Sequence, residues 1–233
     1  MKDIVLLVLL GIIAVPISMS LFQLSISYTK ASIIAVMISS NALFVAPFAH
    51  LILKEDIDAS IIAGLIFGII GMVIIAFPSS KMSYNDFIGI LYGIGSSVTF
   101  ALFSVLGKKT SAKFGGVVVN GIVFLSGSII MVPILLILNI PLFSGINSSN
   151  IVSLMYLGLI VTAFAYIFMF KGLSYLPANR GSLVFFIKPV LAGALAYIML
   201  KEVFSTQLII GTLFILVGIF TTVFLKDKLI SLS

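Results

Sequence analysis

The sequence predicts an all-α protein that crosses a membrane several times. Three observations predict this fold class: 61% of the 233 residues are hydrophobic, only 9% are charged, and the apolar residues fall into long runs with short polar breaks. A run of about 20 apolar residues forms a helix about 30 Å long, which matches the hydrocarbon core of a bilayer. Eight transmembrane helices are predicted, at 4–27, 32–53, 59–78, 86–107, 115–138, 150–173, 181–200 and 206–225.

The residues at the start of the chain and between the apolar runs support these span boundaries. The first span, 4–27, follows a lysine as a signal peptide would. Its apolar part is longer than a signal core and lacks a small-x-small cleavage pattern, so we interpret it as structural. The later connections are short, and the longest, Asn139 to Ser149, contains the Pro, Gly, Asn and Ser residues typical of loops.

Basic residues are distributed unevenly between the two sides that eight spans define. Eight is an even number, so both termini share a side, which receives nine basic residues against three on the other. The positive-inside rule predicts cytoplasmic termini in a multi-pass protein of the cytoplasmic membrane. This asymmetry accounts for the net charge of +6, so no nucleic-acid partner is expected. The nine residues are Lys2, Lys54, Lys108, Lys109, Lys113, Lys171, Arg180, Lys226 and Lys228.

A shift of 147 residues superimposes one part of the chain on another. It carries each of the first three spans onto the span five later, and because five is odd, the two copies cross the membrane in opposite directions. This predicts an inverted-repeat helical bundle, whose binding sites typically lie near the midplane between the repeats. Chance similarity within a helix bundle is the plainer alternative. The shift matches Gly11 with Gly158, Ser27 with Ser174, Tyr28 with Tyr175, Ala31 with Ala178, Lys54 with Lys201, Glu55 with Glu202, Gly64 with Gly211 and Gly71 with Gly218.

The same shift pairs Asn41 with Lys188, the most polar residues deep in the second and seventh spans. A lysine at the bilayer centre costs about 2.5–3.5 kcal/mol on insertion scales, so it should face protein or water. No Asp or Glu lies deep in any span, which favours water or an anionic substrate group as the partner of Lys188. Pro189 is expected to kink this helix. We predict that both residues face a central cavity, although an interhelical hydrogen bond explains Asn41 equally well.

Four further polar residues are candidates for the same substrate-binding cavity. Small hydroxyls in membrane helices mostly pack or bond back to their own helix, so the bulkier polar side chains are the better candidates. The bulkier three are Gln23, Asn120 and Tyr166. The fourth is Ser97, for which a close helix crossing beside Gly95 is the alternative.

Charged residues near the span ends are interpreted as membrane anchors. Glu55 and Glu202, beside Lys54 and Lys201, are expected to lie at the interface. Arg180 and Lys171 are expected to extend their charged ends to the aqueous surface.

No group of residues has the spacing of a catalytic or metal site. The chain has no cysteine, and its one histidine, His50, stands alone. Nothing pairs a nucleophile with a base, so we predict no enzyme activity, no catalytic residue, no metal site and no cofactor.

Two stretches resemble the EamA type of the drug/metabolite transporter superfamily. They are SYTKASIIAVMISSNALFVAPFAHLILKE, residues 27–55, and SYLPANRGSLVFFIKPVLAGALAYIMLKE, residues 174–202. The resemblance implies two inverted repeats and a secondary transporter that exports a small polar or amphipathic metabolite by alternating access. A substrate that contacts Lys188 would be anionic or amino-acid-like.

The chain departs from the family pattern of two five-helix repeats. Residues 1–80 would form a first repeat of three helices and residues 81–233 a second of five, because 86–107 and 115–138 have no earlier counterpart. Three alternatives stay open: a transporter completed by association, for example as a homo-oligomer, a truncated transporter fragment, and a membrane scaffold or assembly partner that transports nothing.

Overall fold

The computed structural model describes residues 2–29, 31–76, 83–143, 146–188, 190–191, 194–195 and 206–230. These residues are mostly helical and include no strand, which confirms the predicted all-α polytopic membrane fold. Pro189, Lys201 and Glu202, for which a kink and an anchor were predicted, lie outside the described residues. Four described helices are long and apolar enough to cross a membrane: Asp3–Tyr28, Tyr84–Phe114, Gly116–Ile137 and Ile151–Tyr175. Shorter apolar helices are Met37–Leu53, Ala59–Ile74 and Ile209–Thr221.

The helices are numbered in chain order. Helix α1 comprises Lys2–Ile12, a π-helical stretch Ile13–Met19, and Ser20–Tyr28. The next are α2 (Ala31–Ser39), α3 (Asn41–Leu53), α4 (Ala59–Ala76), α5 (Tyr84–Phe114) and α6 (Gly116–Ile137). Helix α7 comprises Ile151–Met155, a π-helical stretch Tyr156–Phe164, and Ala165–Tyr175. Helix α8 (Ala178–Gly181) leads into the 3₁₀ turn Ser182–Phe186, and α9 is Thr206–Ile230.

Local sequence signals explain several helix ends. Helix α5 begins with a capping box, in which the Asp86 N–H donates to Ser83 Oγ at 3.1 Å and the Ser83 N–H donates to the Asp86 carboxylate at 3.0 Å. Gly115 separates α5 from α6 with a φ of 81°, which a glycine adopts without strain. In α1, Pro16 lacks an N–H and lies within the π-helical stretch.

Buried serines join α1 to α5. Ser18 Oγ donates to the Ser96 carbonyl at 3.2 Å, and Ser96 Oγ donates back to the Ser18 carbonyl at 3.0 Å. Further along, Ser25 Oγ donates to the Gly89 carbonyl at 2.7 Å. Moving apolar side chains from lipid into the protein gains little free energy. Close packing of small residues and interhelical hydrogen bonds must therefore stabilise the contact between α1 and α5.

Glycines allow α4 and α9 to cross at close range, and the contact is reciprocal. A Cβ added to Gly71 would lie 2.5 Å from the Gly211 carbonyl oxygen, and one added to Gly218 would lie 2.8 Å from the Gly64 carbonyl oxygen. The 147-residue shift exchanges these two contacts, because it matches Gly64 with Gly211 and Gly71 with Gly218. A two-fold relation between the two halves would produce this reciprocity.

A carboxylate in the α3–α4 connection binds α5 and the start of α8 at one end of the bundle. Glu55 Oε1 accepts hydrogen bonds from Lys108 Nζ at 2.9 Å and from the Ala178 N–H at 2.7 Å, and Oε2 accepts from the Asn179 N–H at 3.0 Å. The two N–H groups belong to the first turn of α8, which has no internal acceptors for them. We call the group Glu55, Lys108, Ala178 and Asn179 the Glu55 clasp.

The interpretation of Arg180 as a side chain that extends to the aqueous surface was wrong, and Glu55, expected at the interface, is bound within the protein. Only 14% of the Glu55 side chain is exposed, and it serves as the acceptor at the centre of the clasp. Arg180 pairs with Asp58 in the α3–α4 connection instead of reaching toward solvent. Sequence alone missed both sets of contacts because the partners lie 53 to 124 residues apart. Lys171 is exposed, as expected.

Glu55→Gln is expected to reduce the free energy of unfolding by about 1.5–3 kcal/mol, because it removes hydrogen bonds to an ionised group. Burial raises the pKa of Glu55, but the Lys108 hydrogen bond and the two backbone N–H groups outweigh it and hold the pKa below its usual value. The stabilisation is therefore present above the carboxyl pKa of the unfolded chain and is lost as the pH falls through the lowered folded value. Thermal unfolding in detergent should show the two proteins converging in acid. A difference that persists in acid would contradict this account.

Gly71→Ala is expected to destabilise the protein, because the new Cβ would collide with the Gly211 backbone. Gly121→Ala is the matched control, since a Cβ there meets nothing within 4 Å. Both changes improve helix propensity by up to about 1 kcal/mol, so only the collision separates them. Denaturation in the same detergent should rank Gly71→Ala below the wild type and Gly121→Ala at or above it. Equal stabilities would show that the α4–α9 crossing is loose.

Candidate functional site

Lys188 lies among aromatic rings beyond the 3₁₀ turn. Its Nζ is 4.4 Å from the ring centroid of Phe185 and 5.5 Å from that of Phe100 on α5. A cation above a ring face is attracted by the quadrupole of the ring. Among the described residues, no carboxylate lies within ion-pair distance of Lys188.

Tyr166 on α7 belongs to the same aromatic group. Its ring centroid is 4.8 Å from that of Phe124, 5.9 Å from that of Phe103 and 6.1 Å from that of Phe100. Phe100 thus contacts both Lys188 and Tyr166. These rings pack at steep angles to one another, the usual geometry of aromatic clusters.

Asn120 on α6 lies beside this group. Its Nδ2 donates to the Ala163 carbonyl at 3.2 Å, one helical turn before Tyr166 on α7. The side chain is buried, and Oδ1 has no hydrogen-bond partner among the described residues. A buried acceptor without a partner is costly, so this oxygen is available to a ligand or to water.

Asn41 begins α3 directly after a break in the second span. The Ser40 hydroxyl donates to the Met37 carbonyl at the break, and Ser97 Oγ on α5 donates to the same carbonyl at 2.6 Å. The Asn41 side chain is fully buried, and neither Nδ2 nor Oδ1 has a partner in the described part of the chain. The interhelical hydrogen bond that was the alternative explanation is therefore not formed there.

The middle of α5 connects these groups. Ser97 donates to the Met37 carbonyl, four residues before Asn41, and Phe100, one turn after Ser97, contacts Lys188 and Tyr166. Five of the six predicted residues are therefore linked to the middle of α5 through these contacts. The exception is Gln23, which lies on the exposed side of α1, away from the buried Ser25 that faces α5.

Sequence reasoning missed the aromatic walls of this site. Phe100 and Phe185 are ordinary apolar residues in a chain with 20 phenylalanines, so no local signal marks them. The Glu55 clasp gives no local signal either, because the repeated Lys54-Glu55 pair marks Glu55 but not its partners on α5 and α8.

A cavity of about 200 Å³ lies between α2, α3, α4 and α5, to one side of the predicted residues. Its walls are almost entirely apolar, and Ser40, next to Asn41, is its one polar residue. It contains none of the six predicted site residues. The lining is Met37, Ser40, Leu43, Phe44, Ile69, Met72, Val73 and Ile94.

Comparison with known proteins places the chain among membrane transporters. It is 40% identical over 221 residues to an uncharacterized transporter of Clostridium kluyveri, a match that covers 93% of this chain and 71% of the relative. It is 28% identical to an uncharacterized transporter of Archaeoglobus fulgidus, covering 95% and 78% of the two chains. A WAT1-related chloroplastic protein of Arabidopsis thaliana is 26% identical, with 82% of this chain and 48% of the relative covered.

The fold and the family agree with these similarities. One crystal structure superimposes with a TM-score of 0.76 at 16% identity, covering 95% of this chain and 76% of the other, which supports the fold alone. The sequence matches the EamA-like transporter family over residues 1–77 and 87–224. The chain therefore belongs to the EamA-like transporter family.

Proposed function

We propose that this multi-pass membrane protein is a secondary transporter that exports a small polar or amphipathic metabolite across the cytoplasmic membrane. The observation that carries the proposal is Lys188, a cation beside Phe100 and Phe185 with no described acidic partner. A buried charge is costly unless something compensates it, and an anionic substrate group would do so during transport. Membership in a transporter family argues against an enzyme.

The substrate site of this proposal lies around the middle of α5. Lys188 binds an anionic group such as a carboxylate, and the unpartnered amide groups of Asn41 and Asn120 supply hydrogen bonds. Tyr166, with the neighbouring phenylalanines, contacts the apolar part of an amphipathic substrate. Ser97 positions the backbone before Asn41. Gln23 lies at the periphery of the path that the substrate takes through the protein.

The transport cycle proposed here alternates access between inverted repeats, residues 1–80 and 81–233. The reciprocal contacts between α4 and α9 support the inverted relation. The Glu55 clasp holds the α3–α4 connection against the start of α8 and so closes one end of the bundle between the repeats. In alternating access the site opens to one side of the membrane and then to the other. The end closed by the clasp must therefore open in another state of the cycle.

A membrane scaffold that transports nothing is the second candidate function. The observation that favours it is the exposure of every residue from Ile151 to Val161, the first part of α7. A scaffold would use such a helix to bind another membrane protein. In a scaffold, Lys188 and the aromatic rings around it would have no role in transport.

Lys188→Met is expected to keep the fold, because removing a charge from the bilayer relieves an insertion cost. Transport should fall roughly ten- to hundredfold, as the loss of a hydrogen bond to a charged group implies. Asn41→Ala should lower transport only roughly two- to tenfold, because its hydrogen bonds are neutral. The measurement is uptake of radiolabelled amino acids and carboxylic acids by inverted vesicles with matched expression. Lys171→Met, which removes an exposed lysine, is the control and should leave transport unchanged. Unchanged transport in Lys188→Met would contradict the proposed substrate site.

The proposed orientation predicts which connections an impermeant thiol reagent can reach. The native chain has no cysteine, so single cysteines report cleanly. In intact cells, Ser148→Cys in the α6–α7 connection should be labelled, whereas Lys109→Cys near the end of α5 should react only after permeabilisation. The reverse pattern would invert the topology and contradict cytoplasmic termini.

A further inference from the structure

The apolar cavity between α2, α3, α4 and α5 lies near the middle of the bilayer. Leu43 is ten residues before the end of α3, Ile69 is ten residues after the start of α4, and Ile94 is ten residues after the start of α5. At a rise of 1.5 Å per residue, each lies about 15 Å from that end of its helix. Half of a hydrocarbon core about 30 Å thick is also about 15 Å. Three helices thus place the cavity at the depth of lipid acyl chains, far from the headgroups.

The mouth of the cavity opens between two exposed apolar stripes. The members of each stripe recur every three or four residues, as residues on one face of a helix do, and their side chains are 38–51% exposed. Ile69 and Val73 of one stripe and Ile94 of the other line the cavity. Exposed apolar side chains at mid-depth face lipid, so the cavity is open to the acyl chains of the bilayer. The stripes are Ile62, Ile66, Ile69 and Val73 on α4, and Phe87, Leu91 and Ile94 on α5.

The floor of the cavity is buried and suits an apolar ligand. Met72 is 4% exposed and Ser40 is 9% exposed. Ser40 is the one polar side chain among the described lining residues, and its hydroxyl already donates to the Met37 carbonyl. A polar ligand would therefore give up its hydrogen bonds to water with little replacement. An apolar cavity of about 150 Å³ can hold a benzene molecule, so the cavity of about 200 Å³ has room for several carbons of a chain.

We propose that this cavity binds a segment of one lipid acyl chain, which enters from the bilayer between α4 and α5. An empty cavity would forfeit the dispersion contacts that the chain makes with its walls. Met72 on the floor belongs to a buried cluster with Leu183 and Phe186 of the 3₁₀ turn before Lys188. The bound chain therefore lies against a side chain that supports this turn. The inference does not depend on the transport reaction.

Photo-cross-linking in liposomes tests the proposal with the full chain. The probe is a phosphatidylcholine that carries a diazirine near the middle of one acyl chain, and its adducts are mapped by mass spectrometry. We expect adducts on Met72, although this side chain is almost fully buried. Leu10 is the control and should stay unlabelled, because it is also buried but does not line the cavity.

Closing the mouth of the cavity should reduce this labelling. A double variant with Val73→Trp and Ile94→Trp places a large ring on each side of the mouth. It should lower the adducts on Met72 roughly tenfold, the effect of losing about 1.4 kcal/mol of binding. Ile66→Trp with Leu91→Trp is the matched control, because these residues belong to the same two stripes but do not line the cavity. All four positions are exposed to lipid, so both double variants should fold.

Three results would overturn the proposal. Labelling of Met72 that does not exceed that of Leu10 would show that no acyl chain enters the cavity. Equal labelling of Met72 in the two double variants would show that the chain does not pass through this mouth. Modification of a Met72→Cys protein by a small water-soluble thiol reagent would show that water, not lipid, fills the cavity. Because none of these measurements involves transport, their failure is separate from failure of the proposed function.

Discussion

Close approach of helix backbones at glycines is the interaction on which this bundle depends. In lipid, burying a leucine against another helix gains little over leaving it in the acyl chains, so stability has to come from tight packing and hydrogen bonds. Gly71 and Gly218 bring α4 and α9 together, and Gly11 and Gly127 do the same for α1 and α6. The buried serines of α1 and α5 add hydrogen bonds where backbones lie close.

Polar groups within the bundle follow from the same constraint. Water is scarce there, so an amide or ammonium must find a partner in the protein or be retained for another purpose. Ser97 finds a carbonyl, whereas Asn41 has no described partner and Lys188 rests against aromatic rings. The proposed substrate site rests on this contrast between polar groups that are paired within the protein and polar groups that are not.

The ends of the bundle obey different chemistry, because charges can be solvated there. Glu55 accepts from a lysine and from the free N–H groups of α8, which makes a contact that is strong yet able to exchange with water. Asp3 and Lys113, at the same end, pair at 2.8 Å with both side chains more than half exposed, and contribute little. The Glu55 clasp stabilises the protein more than the Asp3–Lys113 pair does, because Glu55 is more buried and accepts from more donors.

The sequence by itself determined the fold class and the family, since apolar runs and short motifs are local properties. It also singled out Asn41 and Lys188, because a polar residue deep in an apolar run is costly wherever it lies. Only the tertiary structure decided that Phe100 links Lys188 to Tyr166, that Gln23 lies apart, and that Glu55 binds the start of α8. These contacts join distant positions, and a phenylalanine or glutamate looks the same in sequence whatever it touches.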